Sequence, residues 1–267
     1  MDKLYLMSGG LGNQLCEYAF LYKLRKQGLH FKIDLSLYNT ATMHNGYELE
    51  RVFGLKDNII KKTGFHLLLL RLIRKCFPFL MERDSNVRNL GTVIKSRRPI
   101  FYGVWGDEKY IGDVIPEFAG MLEFQNIDGN TLEEANRMSS CDSVSVHIRR
   151  GDFASFGVPL LGENYYKKAI EYIKNKIKSP VFFVFSDDKD VANEIMKKMN
   201  VTFFIENGNT GLDSYKDMYL MSKCKHNIMA NSTFSMWGTF LNKNPKKIVV
   251  QPKGWIEYSG LLGEVHF

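Results

Sequence analysis

Residues 143–153 read SVSVHIRRGDF. Alternation with period two places Ser143, Ser145, His147 and Arg149 on one face of a strand and Val144, Val146, Ile148 and Arg150 on the other. The strand then meets Gly151 and Asp152, so two arginines and a carboxylate collect where it ends. Further strand-like runs follow at 181–185, 201–205, 226–230 and 247–250, separated by helix-like runs at 163–178, 188–199, 213–223 and 234–242. Strands alternating with helices predict parallel βαβ units. The N-terminus opens the same way: 3–7 is short and apolar, a glycine loop follows, 13–27 has helical spacing and 30–34 is extended again. The expected fold is α/β with two Rossmann-like domains, 1–135 and 136–267, joined in the polar stretch and short helical run of 126–142. Ligands of such sheets bind beyond the carboxyl ends of the strands.

A chain of 267 residues with 45% hydrophobic residues can fill cores of that size. Its net charge of +7 (36 basic against 29 acidic residues) admits nucleic acid, an anionic membrane or a phosphate-bearing substrate as partner. No recognised nucleic-acid module is present, so no nucleic acid is expected. Cys16, Cys76, Cys141 and Cys224 are too scattered for a zinc site or a disulfide framework, which fits a reducing cytoplasm. No cleavable signal and no membrane-spanning run is seen, so association with the inner membrane face would be peripheral. The segment 61–80, KKTGFHLLLLRLIRKCFPFL, is both apolar and basic. It suits a helix lying on an anionic membrane or a partner; the commoner object, and the expectation, is a buried helix whose basic stems reach out to water.

The strand ends carry the candidate chemistry. Ser8 to Gln14, SGGLGNQ, has Gly10 and Gly12 but Leu15 where a dinucleotide loop needs its third glycine. Arg149 can present its planar fork to a phosphate, whereas Arg150, aimed at the apolar face, needs a carboxylate partner; surface ion pairs for both are the alternative. FSDD (185–188) includes Asp187, and Asp188-Lys189-Asp190 matches a DxD metal pattern, although carboxylates in a first helical turn are expected simply as caps. Asp213 and Asp217, at i and i+4, could offer a carboxylate to the N–H edge of guanine or form a solvated helix face. Ser232, Thr233 and Phe234 open a helix after a strand, a natural anion site or a plain cap. Trp237 and Phe240 read as core.

Taken together and in this order, GGLGNQ, HIRRGD, FSDD and NSTFSMWGTFLN resemble the bacterial α-1,2-fucosyltransferases of glycosyltransferase family 11 over nearly the whole chain, least in 55–125. The resemblance implies a GT-B-like fold, two Rossmann-like domains facing a cleft. It also implies GDP-β-L-fucose as donor, inversion at the anomeric carbon, and an α-1,2 linkage to a terminal galactose on an oligosaccharide or lipid-linked glycan of a surface polysaccharide such as O-antigen. No metal and no cofactor are expected. On the same basis Arg149 would hold the β-phosphate, His147 would lie near ribose or guanine, and Asp217 would read guanine. Ser232, Thr233 and Phe234 would line the diphosphate, with Asp187, Gly10 and Gly12 also assigned to the donor, and Asn13 would sit near the reacting sugar. Asp152 and Glu163 are the candidate general bases, Asp152 the better placed or else the partner of Arg150. Acceptor specificity is expected in 34–47 and around Phe101, Tyr102 and Trp105. A non-catalytic sugar-nucleotide binding module is the alternative, and an NAD-dependent enzyme is disfavoured by the missing glycine.

Overall fold

A computed structural model describes residues 2–39, 44–60, 65–85, 89–151, 157–206, 208–256, 258–263 and 265–267. The chain divides into two units, Met1–Gln125 and Asn126–Phe267. The first contains β1 (Lys3–Leu6), α1 (Leu11–Lys26), β2 (Phe31–Asp34), α2 (Leu49–Phe53), β3 (Ile59–Ile60), α3 (Phe65–Cys76), β4 (Met81–Arg83), α4 (Leu90–Ile94), β5 (Ile100–Tyr102), α5 (Glu108–Ile111) and α6 (Ile115–Met121). Its sheet is parallel in the order β3-β2-β1-β5-β4.

α1 is buried around most of its circumference, Glu17 included, and ends in Lys23, Arg25 and Lys26, which complement the negative end of its dipole. Trp105 stacks on Phe20 with centroids 4.5 Å apart, and Phe101 meets Phe31 edge to face. Both Phe101 and Trp105 are fully enclosed, and half-buried Tyr102 packs with Leu70 and Ile100. Phe101 and Trp105 therefore belong to the core and cannot stack on an acceptor sugar, contrary to expectation. Aromatic side chains of this size are worth most where their whole area leaves water.

α3 departs from expectation in the other direction. It rests on the sheet through Leu70 and Ile73, beside Leu6, Met81 and Ile100, yet Leu68, Leu69 and Leu72 face water. Successive helical residues are roughly 100° apart, so consecutive leucines cannot all face one sheet. Residues 61–64 of the same segment lie outside the described residues.

The second unit contains α7 (Gly129–Ser139), β6 (Ser143–Ile148), α8 (Glu163–Lys176), β7 (Val181–Ser186), α9 (Lys189–Lys197), β8 (Phe203–Ile205), α10 (Tyr215–Lys223), β9 (His226–Ile228), α11 (Thr233–Phe240), β10 (Val249–Val250) and α12 (Ser259–Leu262). The sheet is again parallel, in the order β10-β9-β6-β7-β8. β6 is buried on both faces, and the alternation holds. Val144, Val146 and Ile148 pack with Tyr165, Tyr166 and Ile170 of α8 and with Ala192 and Met196 of α9. On the opposite face Ser145 Oγ accepts a 2.7 Å bond from Asn227 Nδ2.

The chain leaves β6 toward β7 and β8 on one side and returns to β9 and β10 on the other. This reversal opens a crevice at the carboxyl ends of β6 and β9, the place where open α/β sheets hold their ligands. Asp213 lies in a separate 3-10 turn, Gly211–Asp213, and pairs with Lys216 at 2.8 Å, so it does not share the α10 face with Asp217.

Candidate functional site

At the end of β6 the carboxylate of Asp187, itself at the end of β7, organises the chain. Its Oδ1 accepts the backbone N–H of Arg150 at 2.8 Å, and its Oδ2 lies 3.0 Å from Nη1 of Arg149. Gly151 passes so close that a Cβ there would stand 2.6 Å from Asp187 Oδ2. Ser186 Oγ completes the tie by donating to Ile148 O at 2.7 Å. Among the described residues, then, it is Arg149 whose side chain engages a carboxylate, while Arg150 meets it through its backbone and keeps a buried Nε with no partner. The Arg149 side chain remains 27% exposed, so its guanidinium can reach a ligand as well as Asp187.

His147 precedes this turn and is buried, its ring centroid 6.0 Å from that of Phe234. The Tyr166 hydroxyl donates to its carbonyl at 3.2 Å. Burial, reinforced by the Arg149 charge, pulls its pKa down to about 3, so the imidazole is neutral at physiological pH. Its Nδ1 has no hydrogen-bond partner among the described residues. A buried ring nitrogen without a partner is costly, which makes it a natural contact for a ligand.

The second edge of the crevice is the start of α11. Ser232 caps the helix, its Oγ accepting the Phe234 N–H at 3.3 Å, and half-buried Thr233 and Phe234 form the first turn. Asn231 is anchored by donating from Nδ2 to Pro159 O at 2.8 Å. The positive end of the helix dipole thus opens beside His147, an arrangement that receives anions.

Asp217, in the first turn of α10, accepts two bonds on Oδ1 from Asn209, from the backbone N–H at 3.2 Å and from Nδ2 at 2.6 Å. Among the described residues Oδ2 accepts none, which leaves it for a ligand. Burial raises the Asp217 pKa to about 6 against these bonds. Nearby Glu206 is pushed by burial to about 7, although Arg137 lies 3.0 Å away and stacks over Phe183 and Phe204.

In the first unit the loop after β1 is held by polar groups of several elements. Buried Glu17 accepts the Ser8 N–H at 3.1 Å, and Gln14 Nε2 donates to Gly9 O at 3.0 Å and to Gly46 O at 2.8 Å. Gly9 has φ of +77°, and a Cβ there would lie 2.7 Å from Asn13 Nδ2, so the turn closes directly over Asn13. Gly10 is the extended N-cap of α1, and Gly12 and Asn13 lie in its first turns, Gly12 buried and Asn13 half-buried.

The second unit therefore brings together Arg149, His147, Asp187, Ser232, Thr233 and Phe234, while Asp217 stands at its own helix start. Gly10, Gly12 and Asn13 form the separate loop of the first unit. Asp152 lies outside the described residues. Glu163 has its carboxylate on Lys198 at 2.7 Å. Asp188 caps α9 by accepting the Val191 N–H at 3.1 Å, as its position in a first turn predicts. The described residues contain no cluster of three or more His, Cys, Asp or Glu side chains able to hold a metal. Sequence reasoning missed Gly151, Asn209 and Tyr166. Gly151 had a visible signal, a glycine directly after the two arginines; the partnerships of Asn209 and Tyr166 depend on packing between elements.

The chain matches the family described as Glycosyl transferase family 11 over residues 97–259. The Alpha-1,2-colitosyltransferase of Escherichia coli is 33% identical over 270 residues, covering 94% of this chain and 91% of that protein. The O-antigen biosynthesis glycosyltransferase WbnK of Escherichia coli is 31% identical over 285 residues, 93% of each. The crystal structure of NodZ alpha-1,6-fucosyltransferase co-crystallized with GDP superposes with a TM-score of 0.55 at 14% identity, covering 94% of this chain and 96% of that one. That likeness concerns the fold, which is GT-B-like, with a parallel α/β sheet in each unit. Relatives this similar over nearly the full length, together with a family match that takes in β6, β7, β9 and α11, mean that the chain belongs to glycosyltransferase family 11.

Proposed function

We propose that the chain transfers L-fucose from GDP-β-L-fucose to the 2-hydroxyl of a terminal galactose, with inversion, during synthesis of a surface polysaccharide such as O-antigen. The observation that carries this reading is the crevice between β6 and β9, where Arg149, the unpartnered Nδ1 of His147 and the N-terminus of α11 converge. Positive and N–H groups gathered around a neutral ring suit a nucleoside diphosphate. The similarity to a colitosyltransferase and an O-antigen glycosyltransferase supports a donor of the fucose type and the pathway class.

In the proposed reaction the bond from the anomeric carbon to the β-phosphate oxygen breaks and its electron pair stays on GDP. The sugar acquires oxocarbenium character, the galactose 2-oxygen attacks from the opposite face, and its proton leaves to a base. Arg149 and the positive end of the α11 dipole at Ser232, Thr233 and Phe234 meet the growing charge on the diphosphate, stabilisation that matters most in the transition state. These groups take the part a divalent ion would otherwise play, so neither metal nor cofactor is assigned. His147 donates or accepts at the ribose or guanine as a neutral ring, and Asp187 keeps Arg149 aimed. The open Oδ2 of Asp217 accepts the N1–H and N2–H of guanine. Gly10, Gly12 and Asn13 are assigned to the donor and its sugar, the first unit to the acceptor, and Asp152 to the proton.

A second reading follows from the 33% identity to a colitosyltransferase: the donor sugar is colitose, which is L-fucose without its 3-hydroxyl. The two are separated by GDP release with each donor and a panel of β-galactosides, with and without EDTA. Acceptor-dependent release from GDP-fucose that survives EDTA and falls about 10²-fold or more in Arg149→Ala supports the proposal. Release from GDP-colitose alone replaces the donor. Binding of either donor without turnover for any acceptor leaves a binding module.

A further inference from the structure

The first unit carries an apolar surface uncovered by the rest of the described chain. Leu68, Leu69 and Leu72 of α3 are 62%, 42% and 49% exposed, and Phe77 and Phe79 just beyond it are 41% and 63% exposed. The two phenylalanines meet edge to face at 6.0 Å and so form one continuous ridge. Singly scattered apolar residues need no explanation; five large ones within twelve residues form a patch, and patches mark interaction sites.

Beside the ridge lies a groove of about 470 Å³ lined by Phe79, Leu80, Thr92, Lys95, Arg97 and Arg98. Arg98 is spoken for, donating to Met81 O at 2.7 Å and lying 3.7 Å from buried Glu82. Lys75, Lys95 and Arg97 are exposed, and no acidic side chain pairs with them among the described residues. The surface is thus greasy in its middle and positively charged at its edge.

We propose that this surface docks on an anionic lipid bilayer. The leucines and phenylalanines enter the boundary of the acyl chains, while Lys75, Lys95 and Arg97 meet lipid phosphates. Charge selects this occupant over a second copy of the chain, because two such faces packed together would oppose their unpaired cations. Among the described residues no helix is long and apolar enough to cross a membrane, so the association is interfacial and reversible. It does not depend on the identity of the donor or the acceptor.

The test is flotation of the full chain with phosphatidylcholine vesicles, with and without phosphatidylglycerol. Binding to the anionic vesicles is expected to exceed binding to neutral ones by about tenfold or more, and to weaken at high salt. Leu68→Gln/Leu72→Gln/Phe79→Gln and Lys95→Glu/Arg97→Glu should each abolish it with the thermal midpoint unchanged, since all five positions face solvent or the groove. Leu212→Gln, at an exposed leucine of the second unit, should leave it intact. A polarity-sensitive dye on exposed Cys76, at the end of α3, should shift to the blue on the anionic vesicles. Absent vesicle binding, equal binding to neutral vesicles, or binding untouched by the leucine variant overturns the proposal. Self-association in light scattering that the leucine variant abolishes, without vesicle binding, assigns the face to a second copy and overturns it too.

Discussion

Asp187 shows how much one carboxylate can fix. One oxygen orders the backbone at Arg150 and the other aims Arg149, and Gly151 is small because that carboxylate stands against it. Asp187→Asn keeps an oxygen for the Arg150 N–H but discards the ion pair. Turnover is expected to fall about tenfold, with a smaller change in donor KM, because a misaimed guanidinium weakens the transition state more than the ground state. Equal losses in Asp187→Asn and Asp187→Ala would instead place the effect in the turn. Asp217 makes a pH prediction. Burial raises its folded pKa to about 6, so below that pH it gains a proton and loses the acceptor proposed for guanine. The donor kcat/KM should therefore decline as pH falls through about 6, and Asp217→Asn should flatten that limb while weakening GDP binding by roughly tenfold or more. His147, neutral down to about pH 3, should contribute no limb near 6.5.

At the scale of elements, α1 and the loop before it behave as one piece. Glu17 reaches back from the helix to the Ser8 N–H inside a fully buried site, and burial raises its pKa well above the ordinary carboxylate value. Once protonated, this acid should be replaceable by its neutral isostere. Below the unfolded carboxylate pKa Glu17→Gln is expected to change stability by less than about 1 kcal/mol, whereas Glu17→Ala, which strands the Ser8 N–H and leaves a cavity, should cost about 2–4 kcal/mol in denaturant titrations. A raised folded pKa gives stability that is present below the unfolded value of 4.5 and lost as pH rises from there through the folded pKa, so Glu17→Gln should gain on the wild type across that rise. Elements of this kind were legible in the sequence where pattern and length agree. β6, β7, α8 and α1 carry enough alternation or helical spacing to be read directly. β8, β9 and β10 are only two or three residues long, and in each the apolar run extends beyond the part that pairs. Asp213 was misplaced because a 3-10 turn shares the near-term spacing of an α-helix.

Across the whole molecule, the motif residues were legible and their partners were not. Arg149 and Ser232 announce themselves at the ends of strands, but the sequence cannot show that Asp187 serves Arg149 or that Asn209 occupies one oxygen of Asp217, because those contacts join separate elements. Nor could it separate the aromatics that fill a core, such as Phe101 and Trp105, from those available to a sugar, since composition is the same in both. The division of the chain supplies a last prediction. Arg149, His147, Asp187, Asp217, Asn209 and the start of α11 all lie in Asn126–Phe267, which has a five-stranded sheet of its own with apolar clusters on its two faces. A unit with its own core can fold alone. Residues 126–267 expressed separately should give a cooperative thermal transition and bind GDP with a Kd within about tenfold of that of the full chain, measured by titration calorimetry, while showing no sugar transfer because the loop at 8–13, proposed to meet the sugar, is absent. Asp217→Asn in the fragment should weaken GDP binding as it does in the whole chain. A fragment that folds but fails to bind GDP would mean that the first unit contributes directly to the nucleotide, and that the crevice between β6 and β9 is not sufficient for it.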